Sequence, residues 1–235
     1  MRNGILPAWE KLPLYLQKPE IRPYYDVLAK HRLDLVLKRC FDVFVSGFLL
    51  VFILPVMGVI ALLIKLDSPG PVFYRQERVT TLGKKFYIHK FRTMVVNADK
   101  IGTLVTVDKD PRVTRTGAFL RKYRLDELPQ ALDIFVGDMS FVGTRPEATK
   151  YVRMYTPEMR ATLLLPAGVT SEASIRYKDE AELLSNAEDA DQVYIEQVLP
   201  AKMKYNLESI RKFNLLTELL TMVRTVLALM GKEYN

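Results

Sequence analysis

Between Val43 and Ile64 the chain reads VFVSGFLLVFILPVMGVIALLI, with no charged residue. Roughly 22 residues at 1.5 Å each give about 33 Å of helix, enough to cross the hydrocarbon core of a bilayer. The core helices of soluble proteins keep a polar face, so a helix apolar on all sides is expected in a membrane. A cleaved signal peptide fits poorly, because the segment starts after about 40 residues and lacks a small-residue cleavage end.

Crossing the bilayer and re-entering it are different outcomes, and two features favour re-entry. Pro55 lies mid-segment, where it removes a backbone donor and crowds the preceding turn, so a helix break is expected there. Val43 to Leu54 alone gives about 18 Å, short of a core of about 30 Å. Bases also flank both ends: Arg32, Lys38 and Arg39 before, Lys65, Arg75, Arg78, Lys84 and Lys85 after. A spanning helix carries its excess of Lys and Arg on one side. The alternative is a kinked helix that spans.

The net charge of +7 is segregated. Arg75, Arg78, Lys84, Lys85, Lys90 and Arg92 face only Glu77 in their stretch, and Arg112, Arg115, Arg121, Lys122 and Arg124 face no acid. Asp179, Glu180, Glu182, Glu188, Asp189 and Asp191 balance them further on. Clustered bases imply an anionic partner: headgroups, a phosphorylated substrate or nucleic acid. One cysteine, Cys40, excludes an internal disulfide framework, and His31 and His89 make no metal spacing. No glycine-rich phosphate loop of either standard kind is present.

The remaining pattern is that of an α+β protein, mainly helical, with a re-entrant membrane hairpin, interfacial amphipathic helices and a small β-hairpin. A proline-rich lead-in and an amphipathic helix over Tyr24–Phe41 fill residues 1–42, with the lead-in expected to wrap the membrane surface. Residues 43–67 form the membrane segment, closed by the turn Ser68–Pro71; residues 68–180 form a catalytic domain and 181–235 a helical tail. Val72–Tyr74 and Phe86–Phe91 read as paired strands around the Thr81–Lys85 turn. Pro129 interrupts the apolar spacing from Phe119 to Phe135, so a helix restarts near Asp126. In the tail, Leu215, Leu216, Leu219, Leu220, Val223, Val226, Leu227 and Met230 make an apolar stripe, with Arg224 and Lys232 near its end. That helix either packs on the core or lies in the interface.

Three strings concentrate charge, glycine and proline beyond what packing demands: KFRTM at Lys90–Met94, LRKYRLDELPQ at Leu120–Gln130, and GDMSFVGTRPE at Gly137–Glu147. Adjacent Asp126 and Glu127 behind Arg121, Lys122 and Arg124 suit phosphate chemistry. Bases hold phosphate oxygens, while carboxylates act as nucleophile, proton acceptor or Mg²⁺ ligand. The structural alternative is a helix N-cap at Asp126, with Glu127 favouring the dipole. A helix start also stabilises a carboxylate and binds phosphate, so the two readings are compatible.

These strings, with KRCFD at Lys38–Asp42, GPVFYRQER at Gly70–Arg78, RVTRTGAF at Arg112–Phe119 and, more weakly, PAGVTSEASIRYKDE at Pro166–Glu180, resemble the bacterial sugar transferases. Within them the likeness is to the monotopic polyprenyl-phosphate hexose-1-phosphate transferases. The resemblance implies a re-entrant helix at the cytoplasmic face of the inner membrane and a catalytic dyad on Asp126 and Glu127. It also implies Mg²⁺, which those two carboxylates would help hold, and a covalent phosphosugar intermediate. Donor and acceptor would be a UDP-sugar and a polyprenyl phosphate among membrane lipids; nucleic acid is not an expected partner, and a homo-oligomer is left open. Lys90, Arg92, Arg121 and Arg145 fall in the strings and are expected to hold phosphate. Two positions depart from the family pattern: Leu54-Pro55 replaces Ser-Pro at the helix break, and Thr144 replaces a proline in the GTRPE string. The competing readings are a membrane-tethered binding protein that uses its basic face and a silent scaffold; neither explains Asp126 and Glu127 amid the bases.

Overall fold

In this computed structural model residues 6–98, 110–177, 183 and 189–229 are described. Asp179, Glu180, Glu182, Glu188, Met230 and Lys232 lie outside them. Helix α1 (Arg22–Lys30) is followed, after His31, by α2 (Arg32–Asp67), so the expected helix over Tyr24–Phe41 is divided between two elements. Helix α2 has 36 residues, about 54 Å long. It runs through Pro55 without interruption, which differs from the helix break expected there.

A helical period explains how α2 sits. Leu35, Lys38, Asp42, Ser46, Leu50, Met57, Ile60 and Ile64 are buried, a stripe recurring every three or four residues along most of the helix. Phe44, Phe48, Phe52, Val59, Leu62 and Leu66 on the other side are exposed. The buried stripe is polar at first and apolar later. Lys38 donates to the Val142 carbonyl at 2.8 Å, and Asp42 accepts from Ser140 Oγ at 2.8 Å. Met57, Ile60 and Ile64 then pack with Phe91 and Leu120. The helix ends where expected, at Ser68, whose carbonyl accepts from Arg92 Nη2 at 2.7 Å. Gly70 follows with φ 118°, and a Cβ there would lie 2.2 Å from Arg92 Nη1. Only glycine fits that turn.

Strands β1 (Phe73–Val79) and β2 (Lys85–Phe91) form the expected antiparallel hairpin, with Tyr74 opposite Lys90 and Arg75 opposite His89. Helices α3 (Arg115–Lys122) and α4 (Gln130–Val136) flank a 3₁₀ turn at Leu125–Glu127. Then comes an element the sequence did not suggest. Strand β3 (Met139–Val142) pairs in parallel with β4 (Ala167–Thr170), across a connection containing the short helix α5 (Thr149–Val152). Helices α6 (Glu172–Arg176), α7 (Ala190–Val193), α8 (Leu199–Arg211) and α9 (Leu215–Leu229) complete the described chain.

The lead-in was expected at the membrane surface; it is instead part of the main core. Leu6, Leu12, Leu16 and Ile21 are at most 4% exposed. They belong to one cluster with Tyr155, Leu164, Val198, Met203 and Phe213. Each such side chain contributes about 1.5–3 kcal/mol by leaving water, which explains why a proline-rich stretch without regular structure is held in place. The tail helix α9 packs against α2, α6 and β3, the first of the two expectations, while leaving Leu216, Val223 and Val226 exposed.

Candidate active site

Four elements converge on one cavity of about 420 Å³: the hairpin, the stretch after β2, the end of α3 and the 3₁₀ turn. Arg124 sets up that turn with φ 57° and ψ 22°, a left-handed conformation that a non-glycine residue adopts at a cost. Asp126 and Glu127 follow at once and have opposite surroundings.

Glu127 is held. Its Oε1 accepts from Lys90 Nζ at 2.8 Å and from Arg145 Nη2 at 2.8 Å. Burial pushes the carboxyl up, but the charges of Arg145 and Lys90 outweigh it and keep Glu127 well below the usual carboxylate range. Burial lowers the Lys90 ammonium, against the pull of Glu127. Asp126 lines the cavity and is raised, by burial first and then by the Glu127 charge, with Lys90 and Arg121 opposing. Its ionised form is therefore the less contented of the two. That is the form a nucleophile uses.

The four expected phosphate-binding bases occupy different positions. Lys90 lines the cavity and pairs with Glu127. Arg121 lines it from α3, with Nε on Thr93 Oγ1 at 2.9 Å and its own proton affinity lowered by burial. Arg145 reaches Glu127 from the loop after β3. Arg92 also lines the cavity but is 5% exposed and committed to Ser68 and Pro69 at the exit of α2; its Nε has no partner among the described residues. It therefore ties the end of β2 to the exit of α2 and keeps one donor spare. Pro55 is not among the residues that line this cavity.

Sequence reasoning missed Arg78, Arg75 and Arg112, which line the same cavity. Arg78 is the most informative: Nη1 donates to the Pro146 carbonyl at 3.3 Å and Nη2 to Gln76 Oε1 at 2.5 Å, fixing the loop that carries Arg145. Glu147 in that loop is buried and accepts from Tyr194 at 2.5 Å. The signal was available, since Arg75 and Arg78 stand in GPVFYRQER, but their convergence with Arg121 is tertiary. A second cavity of about 320 Å³ beneath α9 contains none of the expected site residues.

As to a metal, no cluster of three or more acidic, histidine or cysteine side chains is present among the described residues. Mg²⁺ asks for less: one or two carboxylates, waters and substrate phosphates. Asp126 fits that requirement. Glu127 fits less well, because its Oε1 already takes two cations.

A cavity lined by bases and Asp126, with Glu127 restrained beside it, is the arrangement that phosphate-transfer chemistry requires. Residues 33–232 match the bacterial sugar transferase family, and the chain belongs to it. It is similar, at 40% identity over 149 residues, to a putative undecaprenyl-phosphate N-acetylgalactosaminyl 1-phosphate transferase of Bacillus subtilis; that match covers 63% of this chain and 82% of the relative. At 36% identity over 197 residues it is similar to a UDP-glucose:undecaprenyl-phosphate glucose-1-phosphate transferase of Escherichia coli, covering 82% of this chain but 39% of the relative. A UDP-N-acetylgalactosamine-undecaprenyl-phosphate N-acetylgalactosaminephosphotransferase of Aeromonas hydrophila is 33% identical over 193 residues, covering 81% and 43%. This chain thus spans less than half the length of the last two relatives.

Proposed function

We propose that the protein transfers a sugar-1-phosphate from a UDP-sugar to a polyprenyl phosphate, releasing UMP, as the first membrane step of capsule, exopolysaccharide or O-antigen assembly. The observation that carries this reading is the asymmetry at the turn: Glu127 neutralised by Lys90 and Arg145, Asp126 destabilised as an anion and facing the cavity.

In the first step an Asp126 carboxylate oxygen attacks the sugar-linked phosphorus. The bond from that phosphorus to the bridging oxygen breaks, and UMP leaves with the electron pair. In the second, a phosphate oxygen of the lipid attacks the same phosphorus and expels the Asp126 carboxylate, giving polyprenyl-diphosphate-sugar. The acyl-phosphate is reactive, so the intermediate does not trap the enzyme. Arg121, Lys90 and Arg145 act on the phosphate oxygens, where preorganised charge is worth most. Mg²⁺ held by Asp126, with Glu127 as the second candidate, would neutralise the donor diphosphate.

The membrane reading is monotopic, at the cytoplasmic face. Lys38 near one end of α2 and Asp67 at the other both bond to the same body, Lys38 to Val142 and Asp67 to the Thr116 amide at 2.8 Å. Along a straight helix those residues lie about 43 Å apart, farther than the hydrocarbon core is thick. A crossing α2 would drag part of the cationic domain into the bilayer. An α2 lying along the domain, with only Phe44, Phe48, Phe52 and their neighbours in lipid, avoids that.

The test is UMP release from UDP-sugars by detergent-solubilised protein with polyprenyl phosphate, with a labelled sugar trapped on the protein when lipid is withheld. Intersecting double-reciprocal lines and no adduct would point to direct transfer in a ternary complex. For topology, single cysteines near Lys30 and Lys84 should show the same accessibility in intact cells; opposite accessibility would sink the monotopic reading.

A further inference from the structure

Asp133 lies in α4, six positions beyond Glu127, and is 2% exposed. Its two carboxylate oxygens take separate bonds from one residue of the neighbouring strand: Oδ2 from the His89 amide at 3.0 Å and Oδ1 from His89 Nδ1 at 2.6 Å. His89 therefore carries its hydrogen on Nδ1, facing the acid. Directly after His89 comes Lys90, whose ammonium must meet Glu127 at 2.8 Å. The backbone carbonyl of Asp133 also accepts from the Gly137 and Asp138 amides, closing α4 just before β3, the strand whose continuation delivers Arg145.

We propose that Asp133 is a positioning residue that locks β2 to α4 and so sets the distance between Lys90 and the Asp126–Glu127 turn. This rests on the transferase reading above. The two cations that restrain Glu127 come from separate parts of the chain, one on β2 and one beyond β3. Asp133 grips both routes: side chain to β2, carbonyl to the turn entering β3. Burying a carboxylate to 2% exposure without such a task is costly. Arg39 binds the Ile134 and Phe135 carbonyls at 2.7 and 2.8 Å, so α4 is moored to α2 as well and serves as a rigid reference for the strand.

The experiment compares Asp133→Leu with Asp133→Asn. Leucine fills the site and makes neither bond. Asparagine can accept from the His89 amide and donate to Nδ1 once the ring hydrogen moves to Nε2. A misplacement of about 1 Å, caused by a change away from the chemistry, can cost about 100-fold in rate. We expect Asp133→Leu to lose about 30- to 100-fold in kcat with donor KM changed less than about threefold, and Asp133→Asn to recover most of it. Hydrogen exchange supplies a readout independent of turnover: amides of residues 88–91 and 124–128 should exchange faster in Asp133→Leu and near wild-type in Asp133→Asn. A folded Asp133→Leu with unchanged kcat and exchange overturns the proposal. A loss confined to thermal stability, with full turnover per folded molecule, overturns it equally. If wild type releases no UMP while the exchange pattern holds, the transferase reading fails and the lock stands.

Discussion

The Leu125–Glu127 turn and the foot of α2 each bury a glutamate against a lysine, with opposite results. Glu127, with Lys90 and Arg145 on one oxygen, is held far down despite its burial. Glu218 of α9 meets Lys38 alone; burial, reinforced by the nearby Asp42, leaves it raised. At Glu218 one cation does not offset burial together with the Asp42 charge; at Glu127 two cations outweigh burial. The difference matches the tasks. In the proposed mechanism Glu127 has to remain ionised and fixed while phosphates come and go. The Lys38–Glu218 pair only joins α2, α9 and, through Lys38, the Val142 carbonyl.

The comparison breaks first at Asp126, the acid left to do chemistry. Asp126→Asn should abolish both turnover, by at least about 1,000-fold, and labelling of the protein by sugar-phosphate. The fold should survive, since the wild-type carboxylate is raised rather than stabilised. Residual labelling would move the nucleophile elsewhere.

Next comes Glu127→Gln. Removing that charge frees Lys90 and Arg145 to act on Asp126 and deletes a cause of its elevation. We expect kcat to fall about 10- to 100-fold. The pH profile should move as well. In wild type, activity is expected to fall with acid as Asp126 protonates, at a pH raised above that of an ordinary aspartate. In Glu127→Gln that limb should shift to lower pH, because the raised pKa relaxes downward. A limb that stays put or moves up would show that Glu127 does not govern Asp126. The sign for stability is opposite: Glu127, depressed in the fold, contributes above its unfolded pKa and loses that contribution as pH falls, and the Gln variant should lose less on acidification.

The lysine–glutamate pair at the foot sharpens the contrast, because its effect should fall on stability. Lys38→Met leaves Glu218 without its cation and should cost about 3–5 kcal/mol, measured by denaturant unfolding in detergent. The double change Lys38→Met with Glu218→Leu should recover most of it, since replacing a buried pair by apolar groups is often neutral. A double variant as unstable as the single one would mean that the Lys38 bond to Val142, rather than the ion pair, holds the foot.

How much of this could be read from the sequence follows the range of the interactions. The apolar run, the Ser68–Pro71 stop and the hairpin are set by neighbouring residues and were legible; near Asp126 the expected helix start is instead a 3₁₀ turn, and α4 begins only at Gln130. Three features were not. Strands β3 and β4 have four residues each, too short for a period to show, and pair only because Gly143 and Gly168 let their backbones approach; a Cβ on Gly168 would lie 2.1 Å from Gly143 N. The lead-in lacks a helical period and is fixed by partners more than a hundred residues away, since Leu6, Leu12 and Leu16 share one cluster with Leu164, Val198 and Phe213. Likewise Arg78, Asp133 and Glu218 read as ordinary charges until the fold supplies the loop, strand or lysine that each one meets. Arg92 shows the converse: the string that made it a phosphate ligand gave no hint that Ser68 and Pro69 would claim most of its guanidinium.

The smallest expected effect tests whether place or charge makes a base matter. Lys84 and Arg121 both belong to the clustered cations of the sequence. Lys84 pairs with Asp138 at 2.7 Å, but its side chain is 51% exposed and it does not line the cavity. Exposed pairs of this kind are worth about 0–1 kcal/mol, because water screens them and ordering the side chain offsets the gain. Lys84→Ala should therefore change turnover by well under tenfold and barely move the unfolding midpoint. Arg121→Ala, which removes a half-buried guanidinium from beside Asp126, should cost about 100-fold or more in kcat. Raising the salt concentration separates the two further, since screening acts on Lys84 and its lipid-facing neighbours more than on a cavity base. Equal losses from the two variants would mean that total positive charge at the headgroup surface, rather than the geometry around Asp126, governs the rate.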